Sequence, residues 1–259
     1  MSTLLLTTKL YIPPVQPGLV SRPRLIERLD AGLGQRPEIG FTRKLTLVSA
    51  PAGFGKTTLL SEWAHTCAQH RAYPVAWLSL DEGDNDLARF LNYVVAALTS
   101  VDVALDEDFL DALQTPQGLP TELFITRLLN QINEVSTPVV LVLDDYHLIA
   151  TRAIHDALTF ILDHLPPNVH LLIASRTDPP LPLARLRGRG LLTEIRQADL
   201  RFTPEEIAAF LNRLVQELDL SADEVEALAA RTEGWIAGLQ MATLAIQARV
   251  PQTRISMQE

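Results

Sequence analysis

Apolar residues fall into two rhythms along this chain, and the two alternate. Short continuous runs occur in "KLTLVSA", "PVAWLSL" (74–80), "PVVLVLDD" and "VHLLIASR". They lack polar alternation, the pattern of strands covered on both faces. "RGLLTEIRQ" is expected to hold a fifth strand, at the edge. Between the runs lie stretches with helical spacing: "RPRLIERLDAGL", with Leu25, Ile26, Leu29 and Leu33 on one side, then "KTTLLSEWAHTCAQH", "LARFLNYVVAAL" (87–98), "TELFITRLLNQINEV" and "TRAIHDALTFILDHL". Strand and helix in turn predict a parallel sheet with helices on both faces.

The rhythm changes at Thr203. "TPEEIAAFLNRLVQEL" sets Thr203 as a cap, Pro204 at the first helical position and Glu206 three residues past the cap, a capping box. "SADEVEALAARTEG" repeats the plan from Ser221 and stops near Gly234, and "GWIAGLQMATLAIQAR" is a third helix. The expected organisation is an extended, proline-punctuated arm at 1–21, an α/β domain at 22–202, a small helical domain at 203–250 and a tail at 251–259. Residues 99–119 are less regular.

Composition narrows the partners. A formal net charge of −9 makes the chain a poor general binder of DNA or anionic membrane. The sole cysteine, Cys67, reads as a small buried side chain and has no intrachain disulfide partner. No run reaches the roughly 18–20 apolar residues of a membrane span, and no signal-peptide pattern is evident at the start. A cytoplasmic location is expected.

The candidate chemistry sits at the carboxyl ends of the strands. "SAPAGFGKTT" follows the first strand and opens a helix, the context of a phosphate-binding loop. Ala50 stands where the template has its first glycine, tolerable if its φ stays negative. Gly53 to Thr58, through Phe54 and Gly55, form the loop and helix start, where amide hydrogens and the helix's positive end attract phosphate. Lys56 is assigned to the β- and γ-phosphates and Thr57 to Mg²⁺. "VVLVLDD" supplies the acidic partner: Asp144 for the metal and Asp145 to polarise an attacking water. Arg176, in "ASR" after the next strand, lies on the same rim and is assigned to the γ-phosphate. The fold class is therefore α/β, a P-loop NTPase parallel sheet followed by a small helical domain, with ATP or ADP and Mg²⁺ as cofactors. Weaker signals are "DEGDND", read as a solvated turn with Asp84 or Asp86 capping the next helix, the basic "RLRGRG" (185–190), read as a solvated edge or an interdomain contact, His147, read as a packing or hydrogen-bonding residue, and Trp235, read as core.

Several motifs together resemble one family. "LLTTKLYIPP", "LVSRPRLIERL", "LTLVSAPAGFGKTTLLSEW", "VAWLSLDEGDND", "LVLDDYHLI", "LLIASRTDPPLPLARLRGRG", "EIRQADLRFTPEE" and "RTEGWIAGLQMA" are similar to the N-terminal nucleotide-binding domain of MalT-like regulators. These are the large ATP-binding members of the LuxR group, within the STAND ATPases. The resemblance implies a molecular switch: ADP held at rest between the α/β core and the helical domain, exchange for ATP on induction, self-association, slow hydrolysis, and promoter binding through a C-terminal helix-turn-helix. It places Val20 and Arg22 near the adenine, and Gly234 and Trp235 where the helical domain closes over the nucleotide. The chain ends at Glu259 without sensor repeats or helix-turn-helix, so it is expected to be an excised domain or a truncated relative, with DNA binding outside it. Two other readings remain at this point: a constitutive P-loop ATPase or kinase, and a nucleotide-stabilised interaction scaffold.

Overall fold

The computed structural model describes residues 5–16, 18–36, 40–70, 73–105, 120–218 and 222–247. The expected tail at 251–259 and most of the irregular 99–119 stretch lie outside them. The five apolar runs form one parallel sheet. Its strands are β3 (Leu45–Ser49), β4 (Val75–Ser79), β5 (Val139–Asp144), β6 (Val169–Ser175) and β7 (Leu192–Arg196), in the spatial order β4-β5-β6-β3-β7. A small antiparallel pair, β1 (Gln35–Arg36) and β2 (Gly40–Phe41), precedes it. As expected, β7 is an edge strand.

Alternate residues of each central strand go to opposite faces. Val139, Leu141 and Leu143 pack with helices α3 (Leu87–Thr99), α4 (Thr121–Glu134) and α5 (Arg152–His164). Val140 and Val142 face the other layer, made by α1 (Pro23–Leu33) and α2 (Lys56–His70), where Trp63 and Cys67 are fully buried. Two covered faces explain why these strands carry no polar alternation. Helix α1 has Pro23 at its first position and ends at Gly34, whose φ of 59° is left-handed.

After β6 come the short α6 (Leu183–Gly188) and, following β7, α7 (Gln197–Leu200). Among the described residues the last three helices are α8 (Pro204–Leu218), α9 (Ala222–Thr232) and α10 (Ile236–Gln247). The capping box before α8 is formed: Thr203 N donates to Glu206 Oε2 at 3.0 Å, and Glu206 N donates to Thr203 Oγ1 at 3.2 Å. Phe202, Ile207, Phe210, Leu211 and Leu239 build a separate apolar cluster, which Val20 of the N-terminal segment joins.

Two expectations need correction. The N-terminal arm is not extended throughout: Thr7–Leu10 forms a 3-10 turn docked on the sheet layer. "DEGDND" is not simply solvated, because Asp84 is fully buried. One fact explains both. A buried carboxylate needs a partner, and the Lys9 ammonium supplies it, bonding Asp84 and reaching Asp81 at 2.8 Å while lying over the Tyr93 ring. Of the two proposed caps, Asp86 starts α3, accepting from Arg89 N at 2.8 Å. The "RLRGRG" arginines Arg185 and Arg187 make exposed ion pairs with Asp163 and Glu194.

Candidate functional site

The parallel sheet puts every strand's carboxyl end on one rim. Register sets Ser49 beside Ser175 and Ser79 beside Asp144, so the loop after β3, the acidic pair after β5 and Arg176 after β6 converge there.

Ala50 prolongs the β3 edge. Its N–H donates to Ser175 O at 3.2 Å, and it is not among the described residues with positive φ. The turn is made further on, by Gly53 (φ 80°) and Gly55 (φ 74°). A Cβ at Gly53 would sit 2.6 Å from Ala237 Cβ and 2.8 Å from Trp235 Nε1, so that glycine allows close approach of the helical segment. At Gly55 the nearest obstacle is 3.8 Å away, and the positive φ is what demands glycine. Helix α2 then begins at Lys56, presenting first-turn amides that have no intrahelical acceptors.

Lys56 Nζ donates to Ala50 O at 2.8 Å and Pro51 O at 3.1 Å. Burial pulls its pKa below the ordinary lysine value, while Asp145 and Asp144 oppose that shift. Thr57 Oγ1 donates to Asp144 Oδ1 at 3.1 Å, and Asp145 N donates to the same oxygen at 3.0 Å. Burial, reinforced by the Asp145 charge, pushes the Asp144 carboxyl up to about 6. A buried carboxylate and a hydroxyl this close are hard oxygen donors of the kind Mg²⁺ takes. Asp145 itself has φ 56°, a left-handed conformation that an aspartate tolerates better than most residues. Its side chain stays half-exposed on the rim.

A cavity of about 440 Å³ opens above this rim, within the range of small-molecule sites. Polar lining comes from Gly53, Gly55, Lys56, Thr57 and Thr58, with Asp145 and Arg176. Apolar lining comes from Leu19, Val20, Phe202, Phe210 and Ile236. Amides, an ammonium and a magnesium-type oxygen pair together with an apolar lining fit a polyphosphate joined to a flat base.

Some sequence-derived candidates lie outside the lining. Ala50 is strand-like and buried, and Phe54 packs in the core under the loop. Asp144 sits behind Thr57. Gly234 and Trp235 act one layer back: Gly234 O accepts from Phe202 N at 2.9 Å, and Trp235 lies against Gly53. Ala237 N donates to Gly53 O at 3.2 Å, tying α10 to the loop. Arg22 reaches the cavity, but its guanidinium is committed elsewhere. Its Nη2 donates to Leu200 O at 2.8 Å and Arg201 O at 3.1 Å, and it pairs with Glu206 and covers the Phe202 ring.

Sequence reasoning missed Gln16, Gly18, Leu19, Leu59, Glu62, Phe202, Phe210, Ile236, Ala237 and Gln240 as cavity residues. Glu62 was reachable, since it lies one helical turn past Thr58 on the same face. The aromatic pair was not, because only the fold brings α8 to the cavity.

A family model described as "AAA ATPase domain" matches residues 18–174, well over half of the chain. The chain belongs to the AAA ATPase domain family. This AAA ATPase domain is 36% identical over 244 residues to the HTH-type transcriptional regulator MalT of Serratia proteamaculans, covering 93% of this chain and 25% of that protein. It is 34% identical over 250 residues to the MalT of Yersinia enterocolitica, covering 96% of this chain and 26% of that one. The chain thus spans about a quarter of the length of the curated relatives it matches. Among solved structures it is similar to Cdc6p from Pyrobaculum aerophilum, with TM-score 0.56, 18% identity, and coverage of 92% of this chain and 64% of that one. The Aeropyrum pernix Orc1 protein in complex with DNA gives TM-score 0.52 and 19% identity over 92% of this chain and 62% of its own. Both likenesses speak to the fold alone. No helix among the described residues of this AAA ATPase domain is long and apolar enough to cross a membrane.

Proposed function

We propose that this domain is the nucleotide-operated switch of a MalT-like regulator, binding ADP or ATP with Mg²⁺ and cleaving ATP slowly. The observation that carries the reading is the shared cavity. The phosphate loop and the helical segment both line it, so what fills the cavity bears on how the helices sit. A ligand shifts a two-state equilibrium only through differential contacts, and a shared cavity supplies them. The partition that accompanies this reading is an arm at 1–21, a nucleotide-binding α/β domain at 22–202, a small helical domain at 203–250 and a tail at 251–259.

In this reading Lys56 leaves the loop carbonyls for the β- and γ-phosphate oxygens, and the loop amides take the remaining phosphate charge. Thr57 and Asp144 would hold Mg²⁺, which would supply charge neutralisation at the phosphates. Asp145 orients the attacking water, and Arg176 stabilises the γ-phosphoryl group. Leu19, Val20, Phe202 and Phe210 receive the base. Self-association on ATP binding and contact with DNA belong to the full-length regulator.

Asp145→Asn tests the chemistry. ATP and ADP affinities should stay within about twofold while cleavage falls by roughly 10²–10⁴, the usual contribution of a positioned general base. A parent that binds ATP but never cleaves it would favour a nucleotide-stabilised scaffold. Fast turnover without retained ADP would favour a constitutive ATPase.

A further inference from the structure

Both ring nitrogens of His147 are buried with no hydrogen-bond partner. Two other buried histidines are satisfied: His170 meets Thr46 Oγ1 and Arg43 O, and His155 meets the Tyr146 hydroxyl. An orphaned polar ring is costly and calls for a reason. His147 sits in the short turn Tyr146–Leu148, directly after the acidic pair. Its Nδ1 lies 3.7 Å from Asp145 Oδ1, just beyond hydrogen-bond range. The other charges that reach it are Arg176 and Lys56. Burial and these two cations hold the imidazole below its ordinary pKa, so it is neutral, with one donor and one acceptor nitrogen. The carboxylate beside Nδ1 favours the proton there. His147 is not part of the cavity lining, so it acts through a neighbour.

We infer that His147 is a positioning residue for Asp145, its Nδ1–H donating to the carboxylate and fixing the oxygen that faces the attacking water. The inference rests on the hydrolytic reading above and adds no bond-making step of its own. Asp145 has a left-handed backbone, and its carboxylate lies alongside the imidazole. Apo distances of this kind commonly tighten once substrate is bound.

The test uses His147→Phe, His147→Asn and His147→Gln, with ATP turnover, nucleotide Kd and thermal midpoint measured on each. His147→Phe fills the space without a donor, and kcat should fall roughly ten- to a hundredfold, the scale seen when an orienting partner is removed, with KM and Kd within about twofold. His147→Asn places an amide N–H near the Nδ1 position and should regain most of the rate. His147→Gln, whose amide reaches the Nε2 position, should not. In an Asp145→Asn background His147→Phe should have no further effect, a non-additivity that simple packing does not produce. Equal turnover in parent and His147→Phe overturns the inference, as does an equal loss in Asn and Gln variants, or a full additional loss in the Asp145→Asn background. If His147→Phe does not fold, the Asn–Gln contrast decides alone. A parent that binds ATP and never cleaves it defeats the hydrolytic reading and this inference together. That result is distinct, because Asp145→Asn then changes nothing either.

Discussion

Ala50 shows how one side chain can depart from a motif without disturbing it. The glycine usual at that position serves a backbone change that here occurs three residues later, at Gly53. Ala50 keeps its amide bonded to Ser175 and offers its carbonyl to Lys56. Ala50→Gly should therefore leave ATP affinity within about twofold and lower stability by roughly 0.5–1 kcal/mol, the entropic penalty of glycine in extended backbone. Nucleotide titration and urea unfolding of the two proteins check this; a tenfold gain in affinity would mean the alanine strains the loop. That Lys56 lines the cavity was legible from Gly-Lys-Thr set between a strand and a helix. Arg22 was not. Its guanidinium is claimed by carbonyls nearly 180 residues away in sequence, which no local pattern announces.

Among the elements, β3 and β6 are joined by more than backbone. His170, fully buried on β6, lies 2.9 Å from Thr46 Oγ1 on β3, and its Nδ1 is 2.8 Å from Arg43 O. A carbonyl only accepts, so Nδ1 carries the proton and Nε2 accepts from Thr46. Burial drives the His170 pKa down to about 4, against about 6.5 in the unfolded chain. The folded state then binds fewer protons between those values, so this contribution is complete above pH 6.5 and is lost as pH falls toward 4. By pH 5 the loss is about 2 kcal/mol, at about 1.4 kcal/mol per pH unit. Unfolding at pH 7.5 and pH 5 should show that His170→Gln is less acid-sensitive than the parent by about this amount, whatever its absolute stability. An unchanged pH dependence would contradict the assignment. The strands themselves were plain in the sequence, since burial on both faces removes polar residues from the run. The 3-10 turn at Thr7–Leu10 was hidden because its cause, Asp84, is far along the chain and reads as one more acid in a polar turn.

At the scale of the molecule, sheet and terminal helices share one cavity and touch through the loop. Ala237 N bonds Gly53 O, Trp235 covers Gly53, and Glu206 accepts from Arg24 at 2.9 and 3.0 Å, linking α8 to α1. The polar lining was readable from motif and strand order. Of the apolar lining only Val20 was named, through the family resemblance; Phe202 and Phe210 were not, because they gain meaning only once the fold brings α8 to the cavity. The central claim is that this cavity grips a nucleotide by its phosphates through Lys56 and the loop amides. The most direct measurement is the nucleotide bound to purified parent and Lys56→Ala proteins, released by denaturation, quantified by chromatography, and repeated after equilibration with ADP or ATP and Mg²⁺. The parent should hold close to one ADP or ATP per chain. Lys56→Ala should bind at least roughly tenfold more weakly, as loss of a charge-assisted hydrogen bond worth about 1.5–3 kcal/mol implies. A parent that takes up neither nucleotide, or a Lys56→Ala protein that retains it fully, would contradict the account.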